Sequence, residues 1–271
     1  MHRLLVLVAV AACGSVNAVS PDASVDGPAP APDGATVDGR TTPDLKKGCV
    51  LKATMDEASW ASGNRPVANA CGSGGGSVVG AGADTTMDPD RGRVGSFSMD
   101  ACVDFPSTPE LHGTTGLTMS AWIRPTGLNG VDSNGVISKR DDKNVNSEYG
   151  LFVWTGSKVY VDLGNSDRYQ GTAAVSPNVW TQLTAVFDST LPASDRVRLF
   201  INGVSDPLQH VTIGDLGSAL PSYNAPVHLG CTPAPSVMPP TNQTFRGQLD
   251  NVTIWNRALT ADELTALYAE R

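Results

Sequence analysis

The last 27 residues, FRGQLDNVTIWNRALTADELTALYAER (Phe245–Arg271), constrain the fold more than any other stretch. Leu249, Val252, Ile254 and Trp255 make an apolar, β-branched run of the kind a largely buried strand needs. Asn256-Arg257 breaks it. Thr260 and Glu263 stand at the T-x-x-E spacing of a capping box, and Leu259 and Leu264 are placed as its hydrophobic staple. Leu264, Leu267 and Tyr268 give the helix one apolar stripe. The chain therefore ends as one strand followed by one short helix.

Upstream, from Gly48, short apolar runs alternate with turn signals. Strands are expected over 48–57, twice within 95–106, and over 117–125, 135–142, 147–154, 157–163, 180–188, 196–203 and 226–231, with a Gly-rich loop from Ala58 to about Gly92. In LTMSAWIRP (117–125), Leu117, Met119, Ala121 and Ile123 face one way; Thr118, Ser120 and Arg124 face the other, with Trp122 among them. Thr155-Gly156 and Asn202-Gly203 read as hairpin turns, the second the stronger because a type I′ turn needs positive φ at both central residues. Of 27 acidic residues only five are Glu (57, 110, 148, 263 and 270), and Asp suits turns where Glu suits helices. About a dozen such strands point to an all-β fold, a two-sheet antiparallel sandwich or jelly roll with a short C-terminal helix. The net charge of −8 gives no basic footprint, so neither nucleic acid nor nucleotide is expected as a partner.

The N-terminus reads as an export signal. Met1-His2-Arg3 is a basic start, and Leu4–Ala12 is an apolar stretch too short to span a bilayer. Val10–Cys13, V-A-A-C, resembles a bacterial lipobox. Residues 1–12 are then a signal peptide and Cys13 the lipidated first residue, with Gly14 after it resembling an outer-membrane address. Cleavage after Val16-Asn17-Ala18 is the alternative; it would discard Cys13 and leave a periplasmic or secreted protein. Residues 13–47, rich in Pro, Ala and Asp and without an aromatic, form a disordered tether. Any contact with a membrane is expected through the lipid alone. The remaining cysteines, Cys49, Cys71, Cys102 and Cys231, are an even set that suggests two disulfides, and the sequence does not choose among three connectivities. Zinc is rejected on spacing: there is no C-x-x-C pair, and His2, His112, His210 and His228 show no ligand pattern.

Across residues 48–271, several blocks in order resemble the laminin-G-like jelly rolls of the concanavalin A-like superfamily. They are GCVLKATMDE (48–57), GSFSMDACVDFP (95–106), LTMSAWIRPTG, WTQLTAVFD, RVRLFINGV and FRGQLDNVTIWNRALT. The resemblance implies one domain over 48–271. It also implies a calcium ion at the sandwich rim near Asp250, with Asp56 and carbonyls of the 58–65 loop as companions; Asp250 and Asp56 as turn caps remain the other reading.

The fold hosts lectins, adhesins and glycanases alike, so function rests on sites. The five Glu residues show no pair at strand spacing, and neither a G-x-S-x-G elbow nor an H-E-x-x-H pair is present. A non-catalytic surface module for extracellular glycan or protein is the expectation. A glycan hydrolase or lyase and a structural envelope protein are the alternatives. Trp60 and Tyr223, in polar loops, are the expected exposed ligand platforms. Tyr149, Trp154, Tyr160 and Tyr169 are weaker candidates, while Trp122, Trp180 and Trp255 are expected in the core. Recognition is expected from loops 58–92, 140–147 and 232–243.

Overall fold

A computed structural model describes residues 42–61, 66–98, 101–128, 133–140, 147–164, 167–212, 214, 216–232 and 243–270. Pro43–Arg271 form one compact unit. The expected leader, the expected tether up to residue 41, and most of loops 140–147 and 232–243 lie outside the described residues; residues 43–47, expected in the tether, belong to the compact unit, where the Leu45 carbonyl accepts from the Trp255 indole. No helix among the described residues is long and apolar enough to cross a membrane.

In chain order the strands are β1 (Cys49–Ala53), β2 (Ser77–Val79), β3 (Ala83–Asp88), β4 (Gly92–Phe97), β5 (Cys102–Phe105) and β6 (Gly116–Pro125). Then follow β7 (Asn134–Arg140), β8 (Ser147–Trp154), β9 (Lys158–Leu163), β10 (Asp167–Ala174), β11 (Thr181–Asp188) and β12 (Val197–Ile201). The last are β13 (Val204–Asp206), β14 (Leu208–Thr212), β15 (Val227–Leu229), β16 (Cys231–Thr232), β17 (Gln243–Thr244) and β18 (Gly247–Trp255), before helix α1 (Ala261–Ala269). They build two sheets. The first runs β13-β12-β11-β6-β18-β4-β3, with β1 also on β18; the second runs β14-β10-β9-β8-β7-β15-β5-β2, with β16 and β17 beside β7.

The alternation in β6 does what period 2 requires. Leu117, Met119, Ala121 and Ile123 enter the core with Leu183, Ala185 and Phe187 of β11 and Leu249, Val252 and Ile254 of β18. They meet Ile137, Leu151, Val161, Val103 and Leu229 from the second sheet. The sheets are also joined at an edge: Asp206 of β13 accepts hydrogen bonds from the N–H groups of Thr172 and Ala173 and the hydroxyl of Thr172, all on β10. A second apolar cluster (Val186, Trp255, Leu259, Leu264, Leu267) lies between the first sheet and α1. Trp255 is thus buried as expected, but under the helix.

The C-terminal signals are all present. Thr260 accepts from the Glu263 N–H and the Glu263 carboxylate accepts from the Thr260 N–H. Leu259 and Leu264 share the cluster below. Arg257, which the sequence offers only as a strand breaker, grips both Glu263 oxygens at 2.7 and 2.8 Å and donates to the Lys47 carbonyl, tying the start of the domain to its end. Asn202 and Gly203 take φ of 51° and 74°, as the hairpin turn demands. The disulfides are Cys49–Cys71 and Cys102–Cys231.

Two expectations need correction. Residues 58–92 are not one rim loop: they contain β2 and β3, and β3 pairs along its whole length with β4. β10, β13 and β14 were also not anticipated; most of their side chains are polar or half-exposed, so the chain there carries no apolar alternation.

The Arg257 pair and the Thr260 N–H hold the Glu263 carboxyl down to about 2 from an ordinary 4.5. Because the folded value is depressed, this stabilisation is complete above pH 4.5 and is lost as pH falls through about 2. Glu263→Gln is expected to cost about 1 kcal/mol near neutrality, about 2–4 °C in Tm. The gap between variant and parent should close on acidification over that window in melting curves. A gap independent of pH would contradict the assignment.

Candidate functional site

The first sheet carries a β-bulge where it faces away from the core. On β18, Asp250 pairs with Trp122, yet the next partners are Thr253 and Ser120, so three steps oppose two. Asn251 absorbs the difference at φ 48°. Bulges re-aim side chains, and this one sets Asp250 and Asn251 at the wall of a cavity of about 470 Å³.

Beside Asp250 stands a cluster of three rings and one guanidinium. Trp122, on the outward face of β6, lies against Tyr268 of α1, centroids 5.9 Å apart and planes at 22°. The Arg91 guanidinium lies over the Trp122 ring, its Cζ 4.3 Å from the ring centroid and 5.3 Å from that of Trp180. The Arg91 Nε donates to Asp250 Oδ2 at 2.6 Å, and both side chains are more than nine-tenths buried. A guanidinium thus lies over two indole rings with a carboxylate bonded to its Nε, a use for which lysine is a poor substitute.

Asp88 holds the turn that delivers Arg91. Its Oδ1 accepts from the N–H groups of Asp90 and Arg91 and from the Trp180 indole, and its Oδ2 from Arg124 Nη1 at 2.6 Å. Burial pushes this carboxyl up, but the hydrogen bonds from Asp90, Trp180 and Arg124 outweigh it and leave the group below its ordinary value. Asp250 goes the other way. Burial raises it, the Arg91 bond only partly offsets that, and the charge of Asp56 adds to the rise. Asp56 and Asp250 thus sense each other and share the cavity, as the resemblance implied.

Asp90, Asn202 and Asn251 complete the polar wall. Asn202 is fixed by its turn, its Oδ1 accepting from the Gln182 N–H at 2.8 Å. Gly203 beside it is required: with φ of 74°, a Cβ there would meet the Tyr268 ring at 2.9 Å.

The calcium ion that the resemblance implied would share Asp250 with Arg91, and residues 62–65 of the loop named beside it lie outside the described residues. Such an ion needs six to eight oxygens, whereas Asp250 already gives Oδ2 to a guanidinium. Among the described residues, no cluster of three carboxylate, imidazole or thiol ligand atoms includes Asp56 or Asp250.

Trp60 is not an exposed platform. It is 3% exposed, packs edge-on against Phe97, and donates its indole N–H to Glu57. Its loop is polar because Ser59 and the Trp60 N–H grip Asp84, which folds the ring inward. Tyr223 is half-exposed and does not line this cavity; its backbone is pinned, the carbonyl by Lys139 and the N–H by Glu148. Tyr149 is fully buried. Trp122 and Trp180, expected in the core, instead build the site. The parity of β6 was the available signal, since it put Trp122 opposite Ala121 and Ile123. No spacing rule pointed to Arg91 or Tyr268.

The family model described as the Concanavalin A-like lectin/glucanases superfamily matches residues 97–265. Among solved structures, the binding domain of Paraclostridial Mosquitocidal Protein 1 is similar at a TM-score of 0.57 and 14% identity, covering 83% of this chain and 52% of that one. The chain therefore spans about half of that domain's length. Domain 4 of AbnA, a GH43 extracellular arabinanase from Geobacillus stearothermophilus, solved in complex with arabinotriose, has a TM-score of 0.57 and 17% identity, covering 81% and 98%. Trypanosoma rangeli sialidase has a TM-score of 0.58 and 13% identity, covering 85% and 34%. At these identities the likeness is one of fold. No curated protein matches the chain.

Arg91→Ala leaves the Asp250 carboxylate buried without its cation, and about 3–5 kcal/mol of stability should be lost in urea unfolding. Arg91→Lys should recover less than half. A loss within ~0.5 kcal/mol, the range of ordinary surface changes, would contradict the buried pair. Melting curves in millimolar calcium and in chelator should coincide; a rise in Tm with calcium would instead place an ion at Asp250.

Proposed function

The chain belongs to the concanavalin A-like lectin/glucanases superfamily, and from that premise we propose that it is a non-catalytic binding module for an uncharged extracellular glycan, taken up in the cavity at Asp250. One observation carries the reading. Trp122, Trp180 and Tyr268 line one cavity together with the carboxylates and amides of Asp56, Asp90, Asn202 and Asn251. Sugars offer the matching chemistry, C–H faces for rings and hydroxyl pairs for oxygen and amide groups. Charge selects within the class: Arg91 neutralises Asp250, which leaves the negative charges of Asp56 and Asp90 to repel uronate or sialylated ligands. The arabinotriose complex of AbnA domain 4 is support by fold only. A protein ligand is the alternative occupant.

A second reading has an observation of its own. Three carboxylates share this cavity, as the paired carboxyls of a glycan hydrolase would, and burial raises Asp250 against the pull of Arg91. Turnover of a polysaccharide that is lost in Asp250→Asn would favour a hydrolase over a binder. Display at the cell surface, through a lipid on Cys13 and the tether of 13–47, belongs to the same proposal.

A glycan array is expected to return neutral oligosaccharides and not sialylated or uronate ones. Asp90→Ala should weaken the strongest neutral ligand about tenfold, as loss of a charge-assisted hydrogen bond does, without a change in Tm. Acidic ligands at the top of the array, or an Asp90→Ala protein that binds like the parent, would overturn the reading. Cys13→Ser should release the protein from membranes, and retention would contradict the lipid anchor.

A further inference from the structure

We propose that Cys102, His228 and Cys231 form a binding site for a thiophilic divalent metal ion of the zinc class when the Cys102–Cys231 disulfide is open. The two sulfurs and a ring nitrogen of His228 lie within 4.8 Å of one another, and all three residues are buried. Strand pairing assembles them. β5 and β15 pair with Asp104 opposite His228, and Cys102, two residues from Asp104, shares its face of the sheet. Cys231 follows at the start of β16. Sequence spacing rejected zinc for want of a C-x-x-C pair; here the second thiol comes from another strand.

His228 is already prepared as a ligand. Its Nδ1 bonds to Asp104 Oδ1 at 2.7 Å. That partner makes Nδ1 the N–H and leaves the lone pair on Nε2. Nε2 is buried and, among the described residues, has no hydrogen-bond partner. A carboxylate behind a histidine whose other nitrogen is free is the outer-shell arrangement of metal-binding imidazoles. A zinc ion with Zn–S of about 2.3 Å and Zn–N of about 2.0 Å sets its ligand atoms about 3.5–3.8 Å apart, which side-chain rotation reaches from the observed cluster.

The chemistry balances. A dithiol reductant passes two electrons and two protons to the disulfide, which becomes two thiols while the dithiol becomes a disulfide. The metal ion then displaces both thiol protons and forms two metal–sulfur bonds. His228 adds its Nε2 lone pair and releases no proton. The fourth position is open to water. Disulfide and metal are therefore alternative occupants of one place.

The test uses the full chain, reduced with a dithiol, freed of it under nitrogen, and titrated with cobalt(II) as the probe. One cobalt per chain should bind with thiolate-to-metal absorption, and zinc should displace it. Zinc should shield Cys102 and Cys231 from alkylation, but not Cys49 and Cys71, as read by peptide mapping. The oxidised chain should bind no cobalt. His228→Ala should bind at least tenfold more weakly, and Asp104→Asn should show a smaller loss in the same direction. Equal cobalt binding by the oxidised chain, equal alkylation of all four cysteines in zinc, or parent-like affinity in His228→Ala would each overturn the proposal. The mapping needs only the parent protein, so it stands even where a variant fails to fold.

Discussion

A guanidinium and a carboxylate taken together out of water organise the outer face of the first sheet. Arg91 and Asp250 are both more than nine-tenths buried. Removing two charges from solvent costs several kcal/mol per ion, and their attraction alone does not reliably offset it. Here the cation also lies over the rings of Trp122 and Trp180, which adds an interaction that grows as water leaves. The pair and the rings around it join the β3–β4 turn, β6, the segment before β11, β18 and α1. Those five segments come from sequence positions 88–92, 122, 180, 250 and 268, so the cluster ties together distant parts of the domain.

The same device recurs at the second sheet. Lys139 and Glu148 are wholly buried, 3.2 Å apart. Lys139 donates to Ser107 and to the carbonyls of Tyr223 and Ala225; Glu148 accepts from His112 and the Tyr223 N–H. Burial pulls the lysine below its ordinary value while Glu148 pushes it back up. Five acceptors and donors from two loops, 106–115 and 221–226, close around this pair, so the segment 221–226, which has no regular secondary structure, is held to a rigid sheet. Buried ions in this chain fix loops to sheets; the apolar core supplies the bulk of the burial.

That division of labour explains what the sequence disclosed. β6, β8, β9, β11, β12 and β18 were legible because one or both faces are apolar, and the helix was legible because its cap residues have a fixed spacing. β3 and β14 were not, because Thr85, Gln209 and Thr212 sit on edge or half-exposed strands where polarity does not alternate. The site was half legible. Asp250 and Asp56 share one cavity, and Asp250 is paired there with a guanidinium that no local pattern announces. Trp60 and Trp180 exchanged roles, since exposure of an aromatic depends on which way its loop folds, and that is set by Asp84 and Asp88, each more than 20 residues away. Long-range hydrogen bonds of this kind leave no local pattern.

The bulge at Asn251 shapes the outer face of the first sheet. With the extra residue, β18 turns Asp250 and Asn251 outward beside Tyr268, so the last helix becomes one wall of the cavity as well as a lid on Trp255 and Val186. The helix is thus held by its apolar stripe and lines the cavity with Tyr268. Gly203 is confined to glycine by the same ring. Coupling the seal of the fold to the wall of the cavity means that the shape of the site is set by core packing, which keeps its polar groups in place before any ligand arrives.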